Sequence, residues 1–271
     1  RSLESRLLGL VVVALSLAPA IARAQSCANT GVPGTPYEGF GSTVTGGAGL
    51  AATEVSNRND DGVGSLREAI AAGSRCVWFS VSGTITPLTK LSIGGSNMTI
   101  DGFSAPSPGI TLAESPTATY VGAMLEADGT PTPKSNLIIR GLRFRGVGTS
   151  AAINRHLLRI INDVTSGVVS HNSFDNASDG LLDIDADPPG DTTHTITVAR
   201  NIFSNSRLGT LWSQSHKISA YHNLYYLVQQ RSPQVQGAAP TADVMVDYRN
   251  NLCWGWIFDC VRVRSVAVGT E

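Results

Sequence analysis

Short alternations of apolar and polar positions recur along this chain. They fall at residues 98–102, 137–144, 168–174, 196–203, 218–225 and 244–253, and each opens as a half-buried strand does. Four of these units place an asparagine two residues before a bulky side chain: Asn172/Phe174, Asn201/Phe203, Asn223/Tyr225 and Asn251/Cys253. Successive asparagines lie 29, 22 and 28 residues apart. That spacing predicts one coil of a parallel β-solenoid per unit, each strand lying on that of the preceding coil and burying its inward face in a continuous core. Equivalent asparagines then stack, because an asparagine at a bend tolerates left-handed backbone and its amide satisfies groups the bend leaves open. Chance recurrence of Asn-x-aromatic in a turn-rich β protein is the plain alternative, and the regular spacing in strand context speaks against it. One stretch, 65–72, reads as a helix, with Leu66, Ala69 and Ile70 at compatible positions and Ser65 as N-cap three residues before Glu68. It is placed to cap the open N-terminal end. The stretches 114–135, 185–193 and 236–242 are rich in Gly, Pro, Thr and Asp and read as loops, the usual material of a binding groove on a rigid stack.

Composition agrees with many short strands. The 271 residues include 28 Gly and 13 Pro, and one solenoid core accommodates them all, since solenoids grow by repetition. The formal net charge of −1 supplies no basic stripe, so nucleic acid is not an expected partner. Arg1 to Arg6 carry positive charge ahead of an apolar run at 7–20, and Ala22-Arg23-Ala24 gives the small-x-small pattern of a signal peptidase site. Residues 1–24 therefore read as a signal peptide, and 25–271 as one mature β-helix domain. The apolar run is shorter than the roughly 20 residues of a spanning helix. The expectation is a secreted protein, extracellular or periplasmic, monomeric and free of the membrane once cleaved. The chain opens on Arg1 rather than Met and reaches Glu271 without a turn or capping signal, so the reading takes the sequence as clipped and the solenoid as truncated at its C-terminus. Four cysteines in an exported chain suggest two disulfides, for which three pairings exist. Cys253 and Cys260 are near enough to staple one loop, and Cys27 with Cys76 can tie the N-terminal arm to the first coil. Free buried thiols are the alternative.

Several segments, in order, resemble the polysaccharide lyase family that contains the bacterial and plant pectate lyases. Gly39-Phe40-Gly41-Ser42-Thr43-Val44-Thr45-Gly46-Gly47 is similar to its opening motif, and Asp61-Gly62-Val63-Gly64-Ser65-Leu66-Arg67-Glu68-Ala69 to its next block. Val81-Ser82-Gly83-Thr84-Ile85, Thr99-Ile100-Asp101-Gly102, Ala105-Pro106-Ser107-Pro108-Gly109-Ile110-Thr111-Leu112 and Ile138-Ile139-Arg140-Gly141-Leu142-Arg143-Phe144 follow in the same order. The likeness runs from Gly39 to about Trp256. It implies an all-β, right-handed parallel β-helix whose calcium-dependent groove cleaves polygalacturonate by β-elimination.

Eliminating across a uronic acid removes the C5 proton, α to a carboxylate whose charge opposes the carbanion, so charge neutralisation is the main demand. A hard cation held by carboxylates, or an arginine or lysine, meets it. Asp179 and Asp183 sit four apart, on one face if the strand is straight, and can share one cation. They fall where the resemblance implies two calcium-binding acids, and two solvated turn aspartates are the alternative. Asp185 and Asp187 add negative charge nearby. Arg231, in Arg231-Ser232-Pro233-Gln234-Val235-Gln236, falls where the family carries its catalytic arginine. Because an arginine pKa exceeds about 12, the resemblance implies an alkaline working range. Arg207, Gln236 and His171 are the candidate glycan contacts.

Three positions depart from the family pattern: Ser170-His171 replaces an Asp-His pair read as supplying a calcium ligand, Gln236 a second arginine and Leu208 a lysine. Arg207 adjoins Leu208, but a one-residue slip turns a strand side chain to the other face. His171 and His222 follow strand residues and read either as acid–base groups or as hydrogen-bonded members of the stack. Two rival functions stay open: a β-helix that binds acidic polysaccharide without cleaving it, and a glycoside hydrolase, which needs two acids about 5–10 Å apart. Asp179 and Asp183 are candidates for that pair only if no cation lies between them.

Overall fold

The structure is a computed structural model that describes residue 27 and residues 35–148, 155–185, 194–213, 217–237 and 245–264. The signal segment read at 1–24, Asp187 and most of the loop residues read at 185–193 and 236–242 lie outside the described residues. Three parallel sheets wind around one core as a right-handed parallel β-helix. Sheet A stacks the strands Ala51–Val55, Arg75–Phe79, Met98–Asp101, Leu137–Arg140, Ser166–Ser170, Thr195–Ala199, Lys217–Tyr221 and Met245–Arg249. Sheet B stacks Gly83–Ile85, Ile110–Ala113, Arg143–Arg145, Ser173–Asp175, Ile202–Leu208, Leu224–Gln230 and Leu252–Trp254. Sheet C stacks Leu91–Ser92, Gly122–Asp128, Arg155–Ile161, Leu182–Asp185, Thr210–Ser213, Gln234–Gln236 and Arg262–Arg264.

From 137 onward, each unit read in the sequence is a strand of sheet A, a corner, and a strand of sheet B. The asparagine sits at that corner. Asn172 donates its backbone N–H and its Nδ2 to Asn201 Oδ1 at 2.9 and 3.2 Å. Asn201 does the same to Asn223 at 2.9 and 3.1 Å, and Asn223 to Asn251 at 2.9 Å twice. The second Nδ2 proton of each reaches a carbonyl of sheet A, as from Asn201 to Val169 at 2.9 Å. The left-handed turn falls one residue earlier than the sequence reading had it, on His171, Arg200, His222 and Asn250. The ladder asparagine needs its own N–H aimed along the stack, so its predecessor absorbs the bend. His171 and His222 are thus corner residues.

Inside, Phe144, Phe174, Phe203 and Tyr225 stack in register with ring centroids 4.6, 5.0 and 4.8 Å apart. This matches the spacing of about 4.8 Å between paired strands. The outer face of sheet A is buried too. Residues 37–47 cross it, setting Tyr37 and Val44 against Ile138 and Val168, with Phe40 N–H donating to Ser219, Gly41 to Thr197 and Gly47 to Thr99. The approach is close: a β-carbon on Gly47 would lie 2.0 Å from the Arg75 carbonyl. Disulfides Cys27–Cys76 and Cys253–Cys260 both form, the first holding this arm to the second strand of sheet A. The helix Leu66–Ile70 buries Leu66, Ala69 and Ile70 beneath a Ser65 N-cap and packs against the first strands of sheets A and C.

Replacing Asn201 by Ala strands the Asn172 N–H and the Val169 carbonyl, both buried. Stranding buried polar groups costs about 1–3 kcal/mol each. Equilibrium denaturation is expected to show Asn201→Ala less stable than wild type by roughly 2–4 kcal/mol; a loss under about 0.5 kcal/mol, the scale of an ordinary surface change, would reject the ladder as a structural determinant.

Candidate functional site

Sheet C is the candidate face, since its outward positions are mostly polar while Leu158, Ile160, Leu182, Ile184, Trp212 and Val235 point into the core. In register, Glu126, Arg159, Asp183, Leu211, Gln234 and Arg262 form one outward row across successive coils. The corner leading from sheet B into sheet C stacks as tightly. Leu157 N–H donates to Gly180 O at 3.1 Å, Leu181 to Gly209 at 2.7 Å, and Gly209 to Gln230 at 3.0 Å.

Asp179 lies in this corner and Asp183 on the strand that follows, so the two do not share a straight strand. They converge on His156. Its Nδ1 is 2.9 Å from Asp183 Oδ2 and its Nε2 is 3.7 Å from Asp179 Oδ2. The other Asp183 oxygen accepts the Leu211 N–H at 3.1 Å. Gly180 is required between them: a β-carbon there would lie 2.5 Å from Asp183 Oδ1 and 2.8 Å from His156 Nδ1. The Gly180 N–H also approaches His156 Nδ1 at 3.3 Å, but a nitrogen donating its proton to a carboxylate has no lone pair to offer it. Burial by itself lowers the His156 pKa. The charge and hydrogen bond of Asp183, followed by the charge of Asp179, outweigh that and the repulsion of Arg159, so the pKa is raised above its ordinary value.

A second charged array adjoins the first. Lys90 pairs with buried Glu126, and Arg159 reaches Glu126 and Asp185 at 3.8 Å each. His156, Arg159 and Glu126 were missed in the sequence reading. Their signal was present, since Arg155-His156-Leu157-Leu158-Arg159-Ile160-Ile161 sets polar residues among core positions, but no spacing rule linked His156 to residues a coil away.

Arg231 stands in the same corner column as Asp179, two coils on, roughly 10 Å along the axis. Its backbone is pinned on both sides, the N–H donating to Asp259 Oδ1 at 3.0 Å and the carbonyl accepting from Thr210 N–H. Its Nε is buried without a partner, and the guanidinium makes no ion pair among the described residues. Gln236 lies on the next strand of sheet C and accepts from Gln234 Nε2 at 3.0 Å. Leu208 is buried and pairs with Gln230, leaving Arg207 exposed on the outer face of sheet B beside the corner. No strand slip exchanges the two. His171 lies apart, at the corner between sheets A and B, edge-on to Phe103 with centroids 5.5 Å apart, in an open cleft with Arg143 and Arg200. Ser170, read as a lost cation ligand, is on sheet A within 3.3 Å of the Tyr37 hydroxyl, so it bears nothing on the aspartate pair.

Calcium takes six to eight oxygen ligands at about 2.3–2.6 Å. The Asp179–Asp183 pair does not fit that requirement, because an imidazole stands between the carboxylates and two acids supply at most four oxygens. Among the described residues no group of three or more His, Cys, Asp or Glu side chains is arranged to hold a metal ion.

No family model matches the chain. "Probable pectate lyase C" of Aspergillus oryzae is 29% identical over 219 residues, covering 81% of this chain and 47% of that protein. "Pectate lyase 1" of Cryptomeria japonica is 30% identical over 192 residues, covering 62% and 45%. Among solved structures, jun a 1, the major allergen from cedar pollen, superposes with a TM-score of 0.62 at 21% identity, covering 82% of this chain and 66% of that one. The chain is similar to pectate lyases. It spans about half the length of the curated relatives it matches. Its candidate site centres on a histidine held between two aspartates.

A histidine whose folded-state pKa is raised adds stability that is present in full below its unfolded value of about 6.5 and is lost as pH rises through the folded-state value. Chemical denaturation should show His156→Ala less stable than wild type by roughly 3 kcal/mol near pH 5.5, with the gap narrowing near pH 9.5. A gap independent of pH is incompatible with an imidazolium facing Asp179, Asp183 and Arg159.

Proposed function

We propose that this chain is an exported, pectate lyase-like carbon–oxygen lyase acting on an acidic, uronate-type polysaccharide such as polygalacturonate. The observation that carries this reading is Arg231: a backbone-pinned arginine whose guanidinium is unpaired among the described residues, on the rim of a polar sheet face. An acidic glycan lying along sheet C meets Arg231 and Gln236, with Arg207 beside the corner. In the elimination the C5 proton passes to Arg231, acting as base in its deprotonated form. The C–H electron pair becomes the C4=C5 double bond, the C4–O bond breaks, and the leaving oxygen takes a proton from water. Since a guanidinium deprotonates only at high pH, activity rises toward alkaline pH. No step is routed through calcium at Asp179 and Asp183, because the His156 imidazole stands between them. The charged-then-apolar N-terminal sequence and the two disulfides support export.

A second reading, binding without cleavage, is favoured by the buried Leu208, which leaves no cation between Asp179 and Arg231. Ultraviolet absorbance of unsaturated products from polygalacturonate, read at alkaline pH, separates the two. Wild type is expected to form product, and Arg231→Ala to form it at least about 100-fold more slowly. Folded wild type that binds the polymer but yields no unsaturated product rejects the lyase and leaves the binding protein.

A further inference from the structure

We infer that the His156 imidazole stands where a divalent ion would otherwise bridge Asp179 and Asp183, and that this pair binds no calcium in the native chain. Two carboxylates, Asp183 buried and Asp179 about a quarter exposed, converge from a corner and its following strand and concentrate negative charge. The chain places its own side chain in the gap between them. The imidazole spans the gap, 2.9 Å from Asp183 and 3.7 Å from Asp179, and Leu211 N–H donates to the other Asp183 oxygen at 3.1 Å. Nitrogen is a poor ligand for a hard cation, so an incoming calcium ion can neither use the imidazole nor bind beside it without expelling a buried group from its ion pair. The neighbouring acids offer no substitute, because Glu126 and Asp185 already face Lys90 and Arg159.

The inference holds whether or not the chain cleaves glycan, since what it concerns is ion binding. It gives His156 a positioning role: it holds the Asp179 corner against the Asp183 strand, and so keeps the turn column that leads to Arg231 in register without a metal.

Calorimetric titration with calcium chloride near neutral pH, alongside thermal unfolding in calcium and in chelator, tests it on the full chain. Wild type is expected to give no calcium heat that depends on Asp183, and the same melting temperature in calcium and in chelator. His156→Asp removes the imidazole and adds a third carboxylate. It is expected to bind one calcium with an apparent Kd of about 0.1–1 mM and to melt several degrees higher in calcium than in chelator, both effects vanishing when Asp183→Asn is added. His156→Asn, uncharged and close in size, is the second variant should the first not fold, and is expected to gain weaker calcium binding through the same two acids. Calcium binding by wild type that Asp183→Asn abolishes would overturn the inference. So would folded His156→Asp and His156→Asn variants that gain no calcium binding.

Discussion

From the strand Leu137–Arg140 onward, each coil of this helix is tied to the next through one corner, where an asparagine amide passes hydrogen bonds along the axis from Asn172 to Asn251. The rest of the structure depends on that repeat. It sets the strands of sheets A and B in those coils directly on their predecessors, with Phe144, Phe174, Phe203 and Tyr225 stacked face to face. A shift of one residue at any rung would turn those rings outward and leave amide groups buried without partners, two costs that reinforce one another. Register is therefore specified twice, once by polar groups and once by apolar ones.

The same stacking produces the site. Because coils repeat, a corner residue in one coil lies beside corner residues of the next, and side chains far apart in the chain meet along a column. Asp179, Leu208 and Arg231 occupy successive coils of one such column, and His156 lies one coil before Asp179. Solenoids place chemistry this way at little cost in backbone strain, since the groove is a row of ordinary strand ends rather than a special loop. Sheet A shows the complementary use of a sheet face: residues 37–47 cover it, against an outward row that includes Thr99, Ile138, Val168, Thr197 and Ser219.

Charge compensation within the protein distinguishes the sheet C face. Four carboxylates, Glu126, Asp179, Asp183 and Asp185, stand against three of the chain's own cations, Lys90, His156 and Arg159. A face arranged like this holds its shape through internal ion pairs, which are strengthened by partial burial. Arg231 is different in kind. It is fixed by its backbone, with its Nε buried and no ion pair at its side chain among the described residues.

The sequence by itself determined the coil and the asparagine that marks its corner. Asparagine spacing, aromatic spacing and cysteine count are local or periodic signals, and a solenoid converts period directly into position. It also brought Asp179, Asp183 and Arg231 forward as the residues to examine. Only the tertiary structure decided what surrounds them. That Ser170 faces Tyr37, that His171 sits at the opposite corner, and that His156 fills the gap between two aspartates depend on which face each residue presents and on which coil it meets. Such contacts join residues a full coil apart, from 156 to 179 and 183, and hydrophobic patterning carries no information about pairs of polar side chains that meet across coils. The physical reason is that burial is written into the order of apolar residues, whereas the pairing of charges is settled only once the chain has closed on itself.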